Sequence, residues 1–259
     1  MKNRLSCWLL PALLSFTLLA HTASAASGSE FAPHEPVGGW KHSGLTGTFD
    51  RAALQRGYQV YKEVCAACHS MNLVAFRNLQ DIGFNEDQVK AIAAGYQVLG
   101  EPDDNGDVKM RPALPADRFV KPFANEKAAR AANNGAYPPD LSLMVKARHG
   151  GENYVYSLLT GYGTAPEEVK MNPGMSYNPY FPGMQISMSA PLTEGAVTYA
   201  DGTKATIEQM AHDVATFLTW TAEPKLEVRK QTGLKVMLFL FVFAGMMYAV
   251  KRRVWRKLH

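Results

Sequence analysis

The chain has 259 residues, a formal net charge of +4 and three cysteines. So few cysteines exclude a disulfide-built scaffold and a Cys-rich zinc site. The positive charge does not mark a nucleic-acid binder, because it sits at the two ends: residues 26–233 hold 19 Lys plus Arg against 23 Asp plus Glu, a net of about −4.

Residues 1–25 read as a secretory signal. Lys2 and Arg4 begin it, Leu5 to Ala20 is its apolar stretch, and Ala23-Ser24-Ala25 is an A-x-A site, with cleavage expected after Ala25 or Ala26. Cys7 leaves with it, so the exported chain keeps Cys65 and Cys68 alone. A domain over 26–224 follows. Ser27 to Thr46, rich in Gly, Pro and His, is expected to be an extended arm. Asp50 to Val64 has Leu54, Tyr58 and Tyr61 at helical spacing. Gln88 to Ala94, Asp140 to Ala147, Gly151 to Leu159 and Thr206 to Thr221 are further helices, the last with Thr206-x-x-Gln209 as a capping box. Gly195 to Lys204 is expected to be a hairpin turning at Asp201-Gly202. Residues 100–139 and 161–195 read as long irregular loops, of the kind that perform a task such as wrapping a large flat cofactor. Within the first, Glu101 to Asp107 is the densest acidic stretch, a solvated turn unless a basic partner meets it. Residues 225–251 form an apolar anchor helix, and 252–259 a basic tail, cytoplasmic by the positive-inside rule.

The most informative residues are Cys65-Ala66-Ala67-Cys68-His69. C-x-x-C-H is the pattern of c-type haem attachment: each thiol can form a thioether with one haem vinyl group, and the adjacent imidazole can ligate the iron. A thioredoxin-like redox pair would be expected beside a βαβ pattern, which the sequence lacks, and a disulfide between residues this close is strained. A sixth ligand to iron could come from Met110, Met171, Met175, Met184 or Met188, or from His149 or His212; composition does not choose among them.

Several long segments together resemble the cytochrome c1 family, the haem-bearing subunits of quinol–cytochrome c oxidoreductases, in its bacterial form. They are VCAACHSMNLVAFRNL (64–79), AANNGAYPPDLSLMVKARHGGENYVYSLLTGY (131–162), YNPYFPGMQISMSAPL (177–192), DVATFLTWTAEP (213–224) and the C-terminal anchor. The resemblance implies a mainly α, cytochrome c-like haem domain with long irregular loops and one C-terminal transmembrane helix. It implies one covalent haem c on Cys65 and Cys68, ligated by His69 and by Met188 rather than Met184. It also implies that Pro139 packs on the haem, that Arg148 meets a propionate, and that Asn133 and Tyr154 lie on the same side. The implied partners are cytochrome b, the Rieske iron–sulfur protein, a soluble cytochrome c and membrane lipid, in a dimeric complex. Its place is the bacterial inner membrane, with the haem domain in the periplasm. The extra cysteine pair of some bacterial relatives is absent, so no disulfide braces the Met188 region. Two other readings remain at this level: a free-standing anchored cytochrome, and a haem enzyme such as a peroxidase with an open sixth site.

Overall fold

The computed structural model describes residues 31–256. The signal, its cleavage site, Cys7, the start of the arm and the last three residues of the tail lie outside them. The architecture is mainly helical, with two small two-stranded ribbons and one long C-terminal helix.

Helix α1 (Arg51–Glu63) begins where Asp50 accepts hydrogen bonds from Ala52 N and Ala53 N, at 3.0 and 3.3 Å. It buries Leu54, Tyr58, Val60 and Tyr61. Its partner lies far along the chain: α6 (Ile207–Ala222), which buries Met210, Val214, Phe217, Leu218 and Trp220. The two helices touch backbone to side chain at Gly57. A Cβ there would stand 2.0 Å from Asp213 O and 2.7 Å from Phe217 Cβ. Beside this crossing the Arg56 guanidinium grips the fully buried Asp213 carboxylate through two bonds, 2.7 and 3.0 Å, and Asp201 through a third at 2.8 Å. Leaving either charge of such a buried pair unpartnered costs about 3–5 kcal/mol.

The remaining helices pack around this pair. Helix α2 (Glu86–Ala94) opens on a reciprocal box, with Asn85 Oδ1 accepting from Gln88 N and Gln88 Oε1 accepting from Asn85 N, both 2.8 Å. Helices α3 (Glu126–Ala132) and α4 (Met144–Ala147) are short; α5 (Gly151–Thr160) lies on α6 and buries Tyr154, Val155, Tyr156 and Ser157.

Several local expectations are corrected. The expected helix from Asp140 shortens to α4, because Asp140 turns its carboxylate back onto its own chain, accepting from Ser142 N at 2.9 Å. The region read as irregular from residue 100 contains a ribbon of β1 (Gln97–Pro102) and β2 (Val108–Pro112), and also α3. The acidic stretch is its tip, where Asp103 Oδ1 accepts from Asn105 N and Asp107 N at 3.0 Å each. The expected hairpin at 195–204 does not form strands: Gly195 N reaches past it to Ala205 O at 2.9 Å, and Asp201 is held by Arg56. Thr206 does cap α6, accepting from Gln209 N at 3.1 Å, but the Gln209 side chain bonds Asp213 instead of completing the box. The described part of the arm has no helix or strand, as expected, and it packs on the domain: Trp40 and His42 are buried, Trp40 stacked on His212 at 5.1 Å and bonded to Asn153 at 2.6 Å.

Helix α7 (Leu226–Trp255) has an apolar window of mean hydropathy 2.0 that is exposed throughout. Thirty residues extend about 45 Å, enough to cross a hydrocarbon core of about 30 Å. Its first turns are tied to the domain. Glu227 accepts from Phe49 N and Arg51, both 2.7 Å, Lys230 donates to the carbonyls of His42 and Gly47, and Glu223 pairs with Lys146 and Arg229.

Candidate haem site

The motif begins where α1 ends. Val64 N still bonds Val60 O, and a 3-10 turn, Cys65–Ala67, follows directly. Cys65 O accepts from Cys68 N at 3.1 Å and from His69 N at 2.9 Å, so one tight turn gathers both thiols and the imidazole. The thiols are free, Cys65 half-buried and Cys68 exposed. Burial, and secondarily the neighbouring Cys68, push the Cys65 thiol up to about 12.

The His69 ring is fixed by a 2.8 Å bond between Nδ1 and the Pro139 carbonyl. A carbonyl only accepts, so Nδ1 carries the proton and Nε2 keeps its lone pair. Burial lowers the His69 pKa, partly opposed by Pro139 and Asp140, which favours the neutral, ligating form. Pro139 is held in register by a zipper between residues 70–73 and 139–142. Asp140 accepts from Ser70 Oγ at 2.9 Å and Asn72 N at 2.7 Å; Leu141 N donates to Ser70 O at 2.9 Å, and Leu73 N to the buried Ser142 Oγ at 3.0 Å. Burial opposes ionisation of Asp140, but its hydrogen bonds outweigh burial and lower its pKa.

A second group forms around α5. Arg148 ends α4 and lies against the Tyr154 hydroxyl; burial raises the Tyr154 pKa, and Arg148 partly offsets it. Tyr154 in turn neighbours Tyr162, whose hydroxyl donates to Met188 O at 3.1 Å. The structure thus places Arg148 and Tyr154 at the start of α5 and Met188 beside Tyr162 just past its end, and Cys65, Cys68, His69 and Pro139 at the end of α1. Asn133 joins neither group by a hydrogen bond: its amide donates to Ala129 O at 2.7 Å and closes α3.

The other candidate ligands have different settings. Met110 is 57% exposed on β2. Met184 sits in a turn at φ +58°, its backbone bonded to Phe181 O and Asn178 N. Met171 and Met175 line a cavity of about 500 Å³ with Tyr162 and Tyr177, and Met175 Sδ accepts from Ser187 Oγ at 3.2 Å. His149 is exposed, and His212 is stacked on Trp40.

The donor set suits haem c: two unpaired thiols, an imidazole with a free Nε2, and a half-buried soft thioether. Tyr162, Asp140 and Asn178 were not singled out by sequence. Pro138-Pro139-Asp140-Leu141-Ser142 carries the signal for Asp140, an Asx turn in which the carboxylate takes the N–H two residues on. Nothing local distinguishes Tyr162.

A mainly helical domain that ends in an exposed apolar helix, and carries C-x-x-C-H with its imidazole fixed from behind, defines a membrane-anchored c-type cytochrome. More narrowly, the sequence pattern of the Cytochrome C1 family matches residues 40–258, and the chain belongs to that family. It is 51% identical over 233 residues to "Cytochrome c1" of Rhodospirillum rubrum, covering 84% of this chain and 86% of that one. It is 48% identical over 242 residues to "Cytochrome c1-1, heme protein, mitochondrial" of Solanum tuberosum, covering 93% and 74%. It is 49% identical over 235 residues to "Cytochrome b-c1 complex catalytic subunit, mitochondrial" of Candida albicans, covering 90% and 82%.

Proposed function

We propose that the chain holds one haem c by thioethers on Cys65 and Cys68, with His69 and Met188 as axial ligands, and serves as a one-electron carrier of a quinol–cytochrome c oxidoreductase. The observation that carries this reading is the 2.8 Å bond from His69 Nδ1 to Pro139 O, beside two free thiols. It leaves one imidazole nitrogen for iron, in a chain whose relatives are named as haem proteins and as part of a cytochrome b-c1 complex. Haem bound there supplies a single-electron iron couple.

The protein's residues set the conditions for that couple. His69 is oriented by Pro139, which also offers its ring to the macrocycle. The Met188 thioether would favour the reduced state of such an iron and would occupy the position a small ligand needs. Arg148 offers a guanidinium to a propionate, with Tyr154 and Asn133 on the same side. No side chain acts as acid or base, since no bond is broken; quinol oxidation belongs to the assembled complex. Within it the electron would come from the Rieske protein and leave to a soluble cytochrome c, with cytochrome b as the membrane neighbour of α7 in a dimeric assembly. The basic residues from Lys251 to Arg256 favour a cytoplasmic C-terminus, and so a periplasmic haem domain at a bacterial inner membrane.

The test is a visible-range potentiometric titration of the purified protein and of Met188→Leu. The variant is expected to have a strongly lowered potential and to bind carbon monoxide when reduced. An unchanged potential would remove Met188 as ligand. Co-purification with cytochrome b and the Rieske protein separates the complex subunit from a free-standing cytochrome.

A further inference from the structure

The Met188 segment has little structure of its own. Strands β3 (Ser176–Tyr177) and β4 (Gln185–Ile186) pair for two residues only, and Met188 lies beyond the second. Among the described residues, the bond from Tyr162 to Met188 O is the one hydrogen bond to main chain between Ile186 and Thr193. Methionine has three rotatable side-chain bonds, so placing its sulfur depends on fixing its backbone first.

We propose that Tyr162 and Asn178 are positioning residues for Met188, stapling its segment to the C-terminal end of α5. Asn178 is fully buried; its amide donates to Leu158 O at 2.7 Å, its side-chain oxygen accepts from Tyr180 N at 3.1 Å, and its own N–H donates to Met184 O at 3.0 Å. Leu158 O is one of the carbonyls that the last turn of a helix leaves without an internal partner. The segment therefore takes up bonding capacity that α5 exposes by ending there. Gly161 allows the approach: a Cβ at that position would stand 2.5 Å from Tyr180 Cδ2. Tyr162 completes the staple one residue further on, at Met188 itself. A backbone carbonyl only accepts, so the Tyr162 hydroxyl is the donor. The inference rests on Met188 being the axial ligand.

The experiment uses the full-length, haem-loaded protein in detergent and compares wild type, Tyr162→Phe, Asn178→Ala and Met188→Leu. Tyr162→Phe removes one hydroxyl and keeps the ring. Amide exchange in the β3–β4 pairing and its turn, residues 176–186, should quicken by about 2- to 10-fold, the equilibrium value of one hydrogen bond, while residues 51–63 stay unchanged. The fraction of reduced protein that binds carbon monoxide should rise by a similar factor, and the potential should fall below wild type. Asn178→Ala should move all three further. Wild-type exchange, carbon monoxide reactivity and potential in Tyr162→Phe would overturn the staple. Faster exchange with an unchanged potential would leave Tyr162 a packing residue and overturn the positioning role. An unchanged potential in Met188→Leu would instead remove the ligand assignment, and the positioning role with it.

Discussion

The segment that carries His69 and the segment that carries Met188 are built by opposite means. Residues 65–69 continue directly from α1, a helix whose inner face is buried against α6; His69 bonds Pro139, and the residues that follow, 70–73, are zipped to 139–142. Residues 176–188 are held by a two-residue ladder and by two side-chain bonds at the C-terminal end of α5, from Asn178 to Leu158 O and from Tyr162 to Met188 O. The first arrangement places two thiols and an imidazole by local chain geometry, so a five-residue word suffices to specify it. The second places one sulfur through contacts between residues 20 to 26 positions apart, and no short word records it.

The comparison breaks most readily at the thiols. Replacing both Cys65 and Cys68 with serine should abolish covalent haem retention altogether, read as loss of haem staining on a denaturing gel; residual covalent haem would mean that the turn is not the attachment site. The next effect tests the support beneath the turn. Gly57→Ala places a methyl within 2.0 Å of Asp213 O, so α1 must shift on α6. The expected destabilisation is about 1–3 kcal/mol or more, measured as a lowered denaturant midpoint with the haem still attached. If Gly57→Ala leaves stability unchanged, the backing of the His69 segment by α6 is not what holds it.

Legibility followed the same division. The long amphipathic helices were readable because their apolar spacing and caps are local: Asp50 for α1, and Thr206 with Ile207, Met210 and Val214 for α6. The motif and His69 were readable for the same reason, whereas Met188 came only through family resemblance. Two Asx-Gly pairs behave differently. Asn105-Gly106 marks a real ribbon, with Gly106 at φ +85°, yet it lay inside a stretch read as irregular. Asp201-Gly202 looked equivalent, but Arg56 claims the Asp201 carboxylate across 145 residues and Tyr199 is buried beside it. Arg56 of α1 ties this turn to the helix pair, holding the exposed Asp201 with one nitrogen and the buried Asp213 of α6 with two others, and these residues are silent one at a time. The half-made cap at Thr206 has the same cause, since Gln209 turns to Asp213.

The smallest expected effect lies at the foot of the β1–β2 ribbon, on the His69 side of the comparison. Segment 115–119 bonds to residues 74–77 just beyond the motif, through Phe76 N to Asp117 O and Arg77 N to Pro115 O. Asp117 closes it with a two-pronged pair to Arg111, 2.6 and 2.9 Å, and accepts from Leu114 N at 2.7 Å. The Arg111 guanidinium, then the Leu114 N–H, hold the carboxyl at about 2, below its ordinary 3.8. A depressed folded-state pKa gives stability that is fully present above the unfolded value and is lost as pH falls through the folded one. The advantage of wild type over Asp117→Asn should therefore be constant above pH 3.8 and shrink towards pH 2. Because the pair is solvent-screened, that advantage should be no more than about 1 kcal/mol. Amide exchange should locate it in residues 97–119 and leave 176–188 unaffected; a response in the Met188 segment would show that the two halves of the site are coupled through the core rather than supported separately.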